Sequence, residues 1–143
     1  MGKTCASKEG ANAGCGFSDP NPTSYGQGFN DAGGAVIAMD WQENAIRIWT
    51  FARNAIPSDL QGSSAKPNPD SWGTPVAAWT SSSCNIANEV KNHNIIFDIT
   101  LCGGWAGDNY ANSGCPGTCS DRIMEPSNFD DAVWKINSVA VYQ

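Results

Sequence analysis

Two residue runs, 34–41 (GAVIAMDW) and 45–51 (AIRIWTF), are separated only by Gln42-Glu43-Asn44. Side chains alternate between the two faces of a strand. The second run therefore puts Ile46, Ile48 and Thr50 on one face and Arg47, Trp49 and Phe51 on the other. Two β-rich runs joined by so short a turn predict an antiparallel hairpin, and a hairpin needs further strands or a covering layer to be stable. The rest of the chain offers candidates. Residues 76–79 read as a short strand. Residues 94–101 (NIIFDITL) read as a strong one, with Ile95, Phe97, Ile99 and Leu101 on one face, and residues 134–142 (WKINSVAVY) as a closing strand. Helical signals are brief. Single turns are expected at 56–60 and 85–91, and a short helix at 127–133, with Ser127 as its cap and Asp130 and Asp131 in its first turn. Residues 1–33 and 102–119 read as loops, the first tied down through Cys5 and Cys15. About five strands with little helix predict one all-β domain over residues 1–143, an antiparallel sheet or sandwich.

Charge limits the partners. Charged residues make up 15% of the chain, the formal net charge is −6 and the pI is near 4.4. A nucleic-acid binder needs a basic stripe and an anionic membrane attracts basic segments, so neither partner fits. A neutral polysaccharide does, because it is held by stacking and hydrogen bonds. The six cysteines, Cys5, Cys15, Cys84, Cys102, Cys115 and Cys119, are even in number and scattered through loops. They read as disulfides formed in an oxidising, extracellular compartment. All six are expected to be oxidised, with Cys115–Cys119 as a local pair. Zinc would call for CxxC pairs or clustered histidines, and the single histidine, His93, sits in a polar run. No metal or cofactor is expected. The residues after Met1 are polar rather than an apolar leader core, so export would draw on a signal upstream.

The chemistry on offer is narrow. A serine triad needs a histidine, and His93 reads as a turn residue. Glycoside hydrolysis needs two carboxyl groups. Glu9, Glu43, Glu89 and Glu125 each fall in or beside turns, with no second Glu at strand-alternating spacing. Asp98 is the one carboxylate in a strong strand pattern, and a structural hydrogen-bonding role suits it better than a cleft. The six Trp are more informative, because an indole offers a flat apolar face to the C–H face of a sugar and keeps its N–H as a donor. Trp49, Trp79 and Trp134 lie in strand patterns and read as core. Trp105, in the glycine-rich run CGGWAG at 102–107, reads as a ligand platform.

Several ordered blocks then resemble fungal glycoside hydrolase family 16, the laminarinase-like endo-1,3(4)-β-glucanases. They are SYGQGFN at 24–30, GGAVIAMDW at 33–41, IRIWTF at 46–51, IPSDL at 56–60, SWGTPV at 71–76, IIFD at 95–98, CGGWAG at 102–107, SGCPGTC at 113–119 and WKIN at 134–137. The resemblance runs from about Cys5 to Gln143. It implies a concanavalin-like β-jelly-roll sandwich, a sugar cleft across one sheet, and a chain that is the C-terminal half of such a domain. The family's catalytic strand carries Glu-x-Asp-x-x-Glu, nucleophile first and acid/base last, and nothing in this sequence matches it. No catalytic residue is carried over. Trp105 transfers as a sugar-contacting residue, while Gly104 stands where these enzymes commonly have Asp.

The resemblance thus implies part of a secreted, retaining β-glucanase that is inactive alone, with β-glucan as its polysaccharide partner. A missing N-terminal half, or self-association, would complete the sandwich. A non-catalytic, lectin-like β-glucan-binding protein and a structural remnant of a truncated gene are the alternatives.

Overall fold

The computed structural model describes residues 16–62, 66–82 and 84–143. Cys5, Cys15 and Glu9, and with them the expected tether of the first segment, lie outside the described residues. The chain divides into two compact units, one up to Asn92 and one from His93 onward.

The first unit holds the hairpin. Strands β1 (Ala35–Trp41) and β2 (Ala45–Ala52) pair antiparallel, and β3 (Ala77–Thr80) adds to the other edge of β2. The turn closes through Gln42 N–H donating to the Ala45 carbonyl at 2.9 Å. This fixes the register and sets Val36 opposite Phe51, Ala38 opposite Trp49 and Asp40 opposite Arg47. Both hairpin strands and the short strand after Pro75 therefore follow the sequence pattern.

One face of this sheet is covered by residues 57–62 and 66–75. Trp72 is set edge-on to Trp49, with ring centroids 5.2 Å apart, and to Phe51 at 5.6 Å. Edge-to-face contact brings the positive rim of one ring against the negative face of another. Both indole N–H groups are satisfied. Trp49 Nε1 donates to the Gly73 carbonyl at 3.1 Å, and Trp72 Nε1 donates to both Asp59 oxygens at 3.1 and 2.9 Å. Gly73 has φ +74°, a conformation that costs a residue with a Cβ but not glycine. Asp59 opens a 3-10 turn, Ser58–Leu60, at the place expected for one, and also accepts the Asn68 N–H at 2.7 Å. Trp49 is only 2% exposed, and Ala77 and Ile86 are likewise buried. Ile86 opens α2 (Ile86–Glu89), which Asn85 caps by accepting the Asn88 N–H, within the expected helical turn.

The opposite face of β1 lies open, with Ile37 67%, Met39 57% and Trp41 40% exposed. Before the hairpin, the stretch read as continuous loop contains a helix, α1 (Gly26–Asp31). Two glycines inside it hide the helical signal, because glycine is a poor helix former. Gly28 is needed there, since a Cβ would stand 2.3 Å from the Pro22 carbonyl oxygen. Phe17 meets Trp79 edge-on at 4.9 Å.

The second unit departs further from expectation. Residues 94–101 and 134–142 form no strand. Strand pairing is non-local, and no partner strand offers these backbones a ladder among the described residues. Their alternating side chains stay exposed, Ile96 at 75% and Val141 at 73%. The two segments still touch. Trp134 Nε1 donates to the Asp98 carbonyl at 2.9 Å, and the Phe97 and Trp134 rings lie 5.7 Å apart. Trp134, read as core, is 60% exposed. The expected loop 102–119 is instead largely helical, with α3 (Gly103–Tyr110) and the start of α4 (Cys119–Ile123). Thr118 caps α4 by accepting the Asp121 N–H, and its hydroxyl donates to the Asp121 carboxylate at 2.6 Å, a variant of the reciprocal capping box. The helix expected at 127–133 is a 3-10 turn, Pro126–Phe129, capped by Glu125 rather than Ser127, with Asp130 at its end. Proline suits the first turn because it lacks only an N–H that would be unpaired there.

The disulfide map also differs. Cys102 pairs with Cys119, with Cα atoms 5.9 Å apart, while Cys84 and Cys115 are free and exposed. The Cys115–Cys119 pair and full oxidation are thereby corrected. α3 and the turn after it bring Cys102, rather than the neighbouring Cys115, to Cys119. Closing a loop of this size stabilises by about 3 kcal/mol through the unfolded chain.

Two outcomes follow from this anatomy. Under non-reducing conditions, peptide mapping should find Cys102 linked to Cys119, with Cys84 and Cys115 alkylated. A Cys115–Cys119 peptide would contradict the structure. The second concerns acid. The Asn68 N–H, reinforced by Trp72 and opposed by partial desolvation, holds the Asp59 carboxyl below its ordinary value of 3.8. A depressed carboxylate contributes stability that is complete above its unfolded value and lost as pH falls through its folded one. Tryptophan emission should therefore change below pH 3.8 as Trp72 is released, and Asp59→Asn should lack that acid step. An identical acid titration in the variant would show that Asp59 does not anchor Trp72.

Candidate functional site

Two places in the chain carry chemistry beyond packing. The first is the α3 segment. The backbone turns sharply at Cys102, whose φ is +56°, and at Gly103, φ +84°, before α3 begins. Non-glycine residues seldom take this left-handed conformation, and here the disulfide to Cys119 and the following glycine hold it. At the far end of α3, the Tyr110 hydroxyl donates to the Pro116 carbonyl at 2.9 Å, and the Ser113 hydroxyl donates to the Tyr110 carbonyl at 2.6 Å. Trp105 thus stands in the first turn of a helix pinned at both ends. Its side chain lies outside the described residues.

The second place is a charged cluster at the hairpin end. The hairpin register puts Asp40 across from Arg47. Arg47 Nε donates to Asp40 Oδ2 at 2.9 Å and Nη2 approaches the same oxygen at 2.7 Å. Its Nη1 donates to Asp70 Oδ1 at 2.9 Å. Gln42 Nε2 donates to the other Asp40 oxygen at 2.8 Å. The Asp40 side chain is 5% exposed and that of Asp70 80%. The Asp40 hydrogen bond, and then that of Asp70, push the Arg47 pKa above its ordinary value, so the guanidinium stays charged. It also lies 5.4 Å from the Trp49 ring centroid, within cation–π range.

These two carboxylates do not form an acid/base pair. A guanidinium sits between them and binds both, so no scissile bond could lie between the two carboxyl groups. Two of the other carboxylates, Glu125 and Asp121, lie at helix caps. Glu125 accepts from Ser127, Asp121 from Thr118, and Asp98 offers only its backbone carbonyl to Trp134. Asp98, the strand-borne candidate, is exposed. Among the described residues no group of three or more His, Cys, Asp or Glu side chains could hold a metal ion. No helix among them is long and apolar enough to cross a membrane.

Sequence reasoning missed the Arg47 bridge and the Trp72 anchor. The first was legible in principle. A two-residue turn at Glu43-Asn44, with Gln42 facing Ala45, sets residues 40 and 47 across from one another, and opposite charges at facing positions attract. The second carries no local signal, because it joins Asp59 to Trp72 through a loop.

With this geometry in hand, comparison with known proteins is direct. Residues 1–142 match the family described as XgeA-like, catalytic GH16 domain. The chain is 46% identical over 134 residues to a protein named as a probable glycosidase of Schizosaccharomyces pombe, covering 92% of this chain and 32% of that one. It is 42% identical over 139 residues to an endo-1,3(4)-beta-glucanase of Arthroderma benhamiae, covering 92% and 30%. Among solved structures, the GH16 Laminarinase 16A of Phanerochaete chrysosporium, with beta-glucans in both donor and acceptor sites, superposes with a TM-score of 0.71 at 38% identity. That match covers 85% of this chain and 42% of the laminarinase chain. The chain thus spans about a third of the length of these two curated relatives. It belongs to glycoside hydrolase family 16, in its XgeA-like branch, and its antiparallel sheet is part of that family's β-jelly-roll sandwich.

Proposed function

We propose that this chain is the C-terminal portion of a secreted endo-1,3(4)-β-glucanase domain and supplies one wall of a glucan cleft without the hydrolytic carboxylates. The observation that carries this reading is the coincidence of a family match over residues 1–142 with a sequence that lacks the family's paired carboxylate motif. Retaining hydrolysis needs two carboxyl groups about 5–5.5 Å apart across the scissile bond. Asp40 and Asp70, two carboxylates that share a partner, are locked by Arg47. Glu-x-Asp-x-x-Glu is not in the sequence. A second reading, glucan binding without cleavage, draws on the same facts and differs only in whether another segment provides the carboxylates. Secretion is supported by the Cys102–Cys119 disulfide, since such bonds persist in oxidising compartments.

Trp105 is assigned as the sugar platform of this wall, on the first turn of α3 behind the disulfide. Its indole face would stack on a pyranose ring, as aromatic faces do on apolar surfaces. The chain alone should therefore release no reducing ends from laminarin or mixed-linkage β-glucan. Release that disappears on mutating one carboxylate of this chain would overturn the proposal. Trp105→Ala should weaken laminarin binding by about 1–3 kcal/mol, the scale of one lost aromatic contact. Unchanged binding would remove Trp105 from the site.

Assembly is the other part of the proposal. Ile37, Met39 and Trp41 point away from the covered face of the hairpin, and Ile46 and Ile48 face the same way. An open apolar sheet face of this kind needs a cover, and a second half of the sandwich would provide one. Without it, the chain should self-associate in a concentration-dependent manner in sedimentation velocity. Met39→Lys should reduce that association. A monomer at every concentration, with a cooperative thermal transition, would refute the proposed cover.

A further inference from the structure

The charged cluster at the hairpin end opens onto a cavity of ≈430 Å³, lined by Asp40, Gln42, Asn44, Arg47, Pro69 and Asp70 among others. This falls in the range of small-molecule sites, roughly 300–1,000 Å³. The cavity sits on the Arg47 and Trp49 face of the sheet, opposite the open apolar face, and uses no residue of α3. We infer that it is a second saccharide-binding site, taking a neutral, hydroxyl-rich glucan segment independently of Trp105.

The chemistry of the lining selects that ligand class. Both Asp40 oxygens are already occupied, one by Gln42 and the other by Arg47, so the buried carboxylate has little left for a cation. Two carboxylates against one guanidinium leave the cluster formally negative, which disfavours a phosphate or sulfate. What remains is neutral hydrogen-bonding capacity. One Asp70 oxygen lies beyond the Arg47 contact. The Gln42 side-chain carbonyl is spare, since only the amide nitrogen is engaged. The Asn44 side chain makes no hydrogen bond among the described residues, while its backbone carbonyl holds the Ser81 N–H at 2.9 Å. Acceptors from Asp70 and Gln42, mixed donor and acceptor from Asn44, and the apolar ring of Pro69 match vicinal hydroxyls beside a C–H face. The Arg47 bridge fixes Asp40 and Asp70 in advance, so binding costs little side-chain ordering.

The choice of a glucan rests on the glucanase reading, but the site does not depend on catalysis or on Trp105. The test uses the full chain and laminarihexaose. Titration followed by amide NMR should shift Gln42, Asn44, Ala45 and Asp70, and these shifts should persist in Trp105→Ala. Asn44→Ala combined with Asp70→Ala leaves the Asp40–Arg47 pair intact. It should lower affinity at this site by about 5–20-fold, the scale of losing one or two hydrogen bonds, while leaving the Trp105-dependent binding in place. Failure of the Trp105 site alone would refute the proposed cleft wall and leave this inference standing. No shift at the four amides in the parent chain would overturn the inference, whether or not the double variant folds. So would shifts that vanish in Trp105→Ala, since the cavity would then hold no ligand of its own.

Discussion

The first unit depends on two tryptophans, Trp49 buried and Trp72 half-buried, that pack edge-on without leaving an indole N–H unpaired. An indole brings a large apolar surface and one N–H, and the N–H costs free energy if it is enclosed without an acceptor. Trp49 finds the Gly73 carbonyl and Trp72 finds Asp59, so each ring is anchored by the segment that covers it. The covering loop is thus held by the hydrogen-bonding needs of the residues it buries. Remove the Trp72 contact and the loop loses its reason to cross the sheet. Remove the loop and Trp49 loses its acceptor as well as its cover. Gly73 and the 3-10 turn at Ser58–Leu60 serve this arrangement by bringing the acceptors to the rings.

The local parts of the fold were legible because their causes are local. The hairpin pattern, the turn at Gln42 and the helical turn within 85–91 each depend on residues within a few positions, and each is found where the pattern put it. The failures share a different origin. Residues 94–101 and 134–142 have the alternation of strands, but alternation marks only which side would face a core. A ladder needs a partner, and none is present among the described residues. The helices α1 and α3 were hidden by glycine, which lowers helical propensity yet is tolerated where backbones approach closely, as Gly28 does to Pro22. The Cys102–Cys119 pair was hidden because sequence proximity favoured Cys115, while the path through α3 decided the outcome.

For the site, the legible part was the family, and the illegible part was everything that depends on side-chain reach. Asp40 and Asp70 are 30 residues apart, and only the register and the 66–75 segment bring both to Arg47. The same guanidinium explains why two neighbouring acids here are a structural clamp. Its three nitrogens are spent on the two carboxylates, and it fills the gap that a scissile bond would occupy. Charge at the hairpin end and exposed aliphatic side chains on its reverse give the sheet two faces of different character.

The Cys102–Cys119 bond has a consequence for how damage to this chain would look. It spans α3 and the exposed turn at 111–117. Surface turns of small residues are where proteases cut first. A single cleavage there would leave both fragments covalently joined, with α3 still tied to α4 and the tyrosine clasp to Pro116 divided or spared according to the bond cut. The nicked chain would keep its mass, gaining only the water of hydrolysis, and would separate into two pieces only when reduced. The bond is therefore also a latch that keeps the Trp105 helix attached after the backbone beside it has been broken.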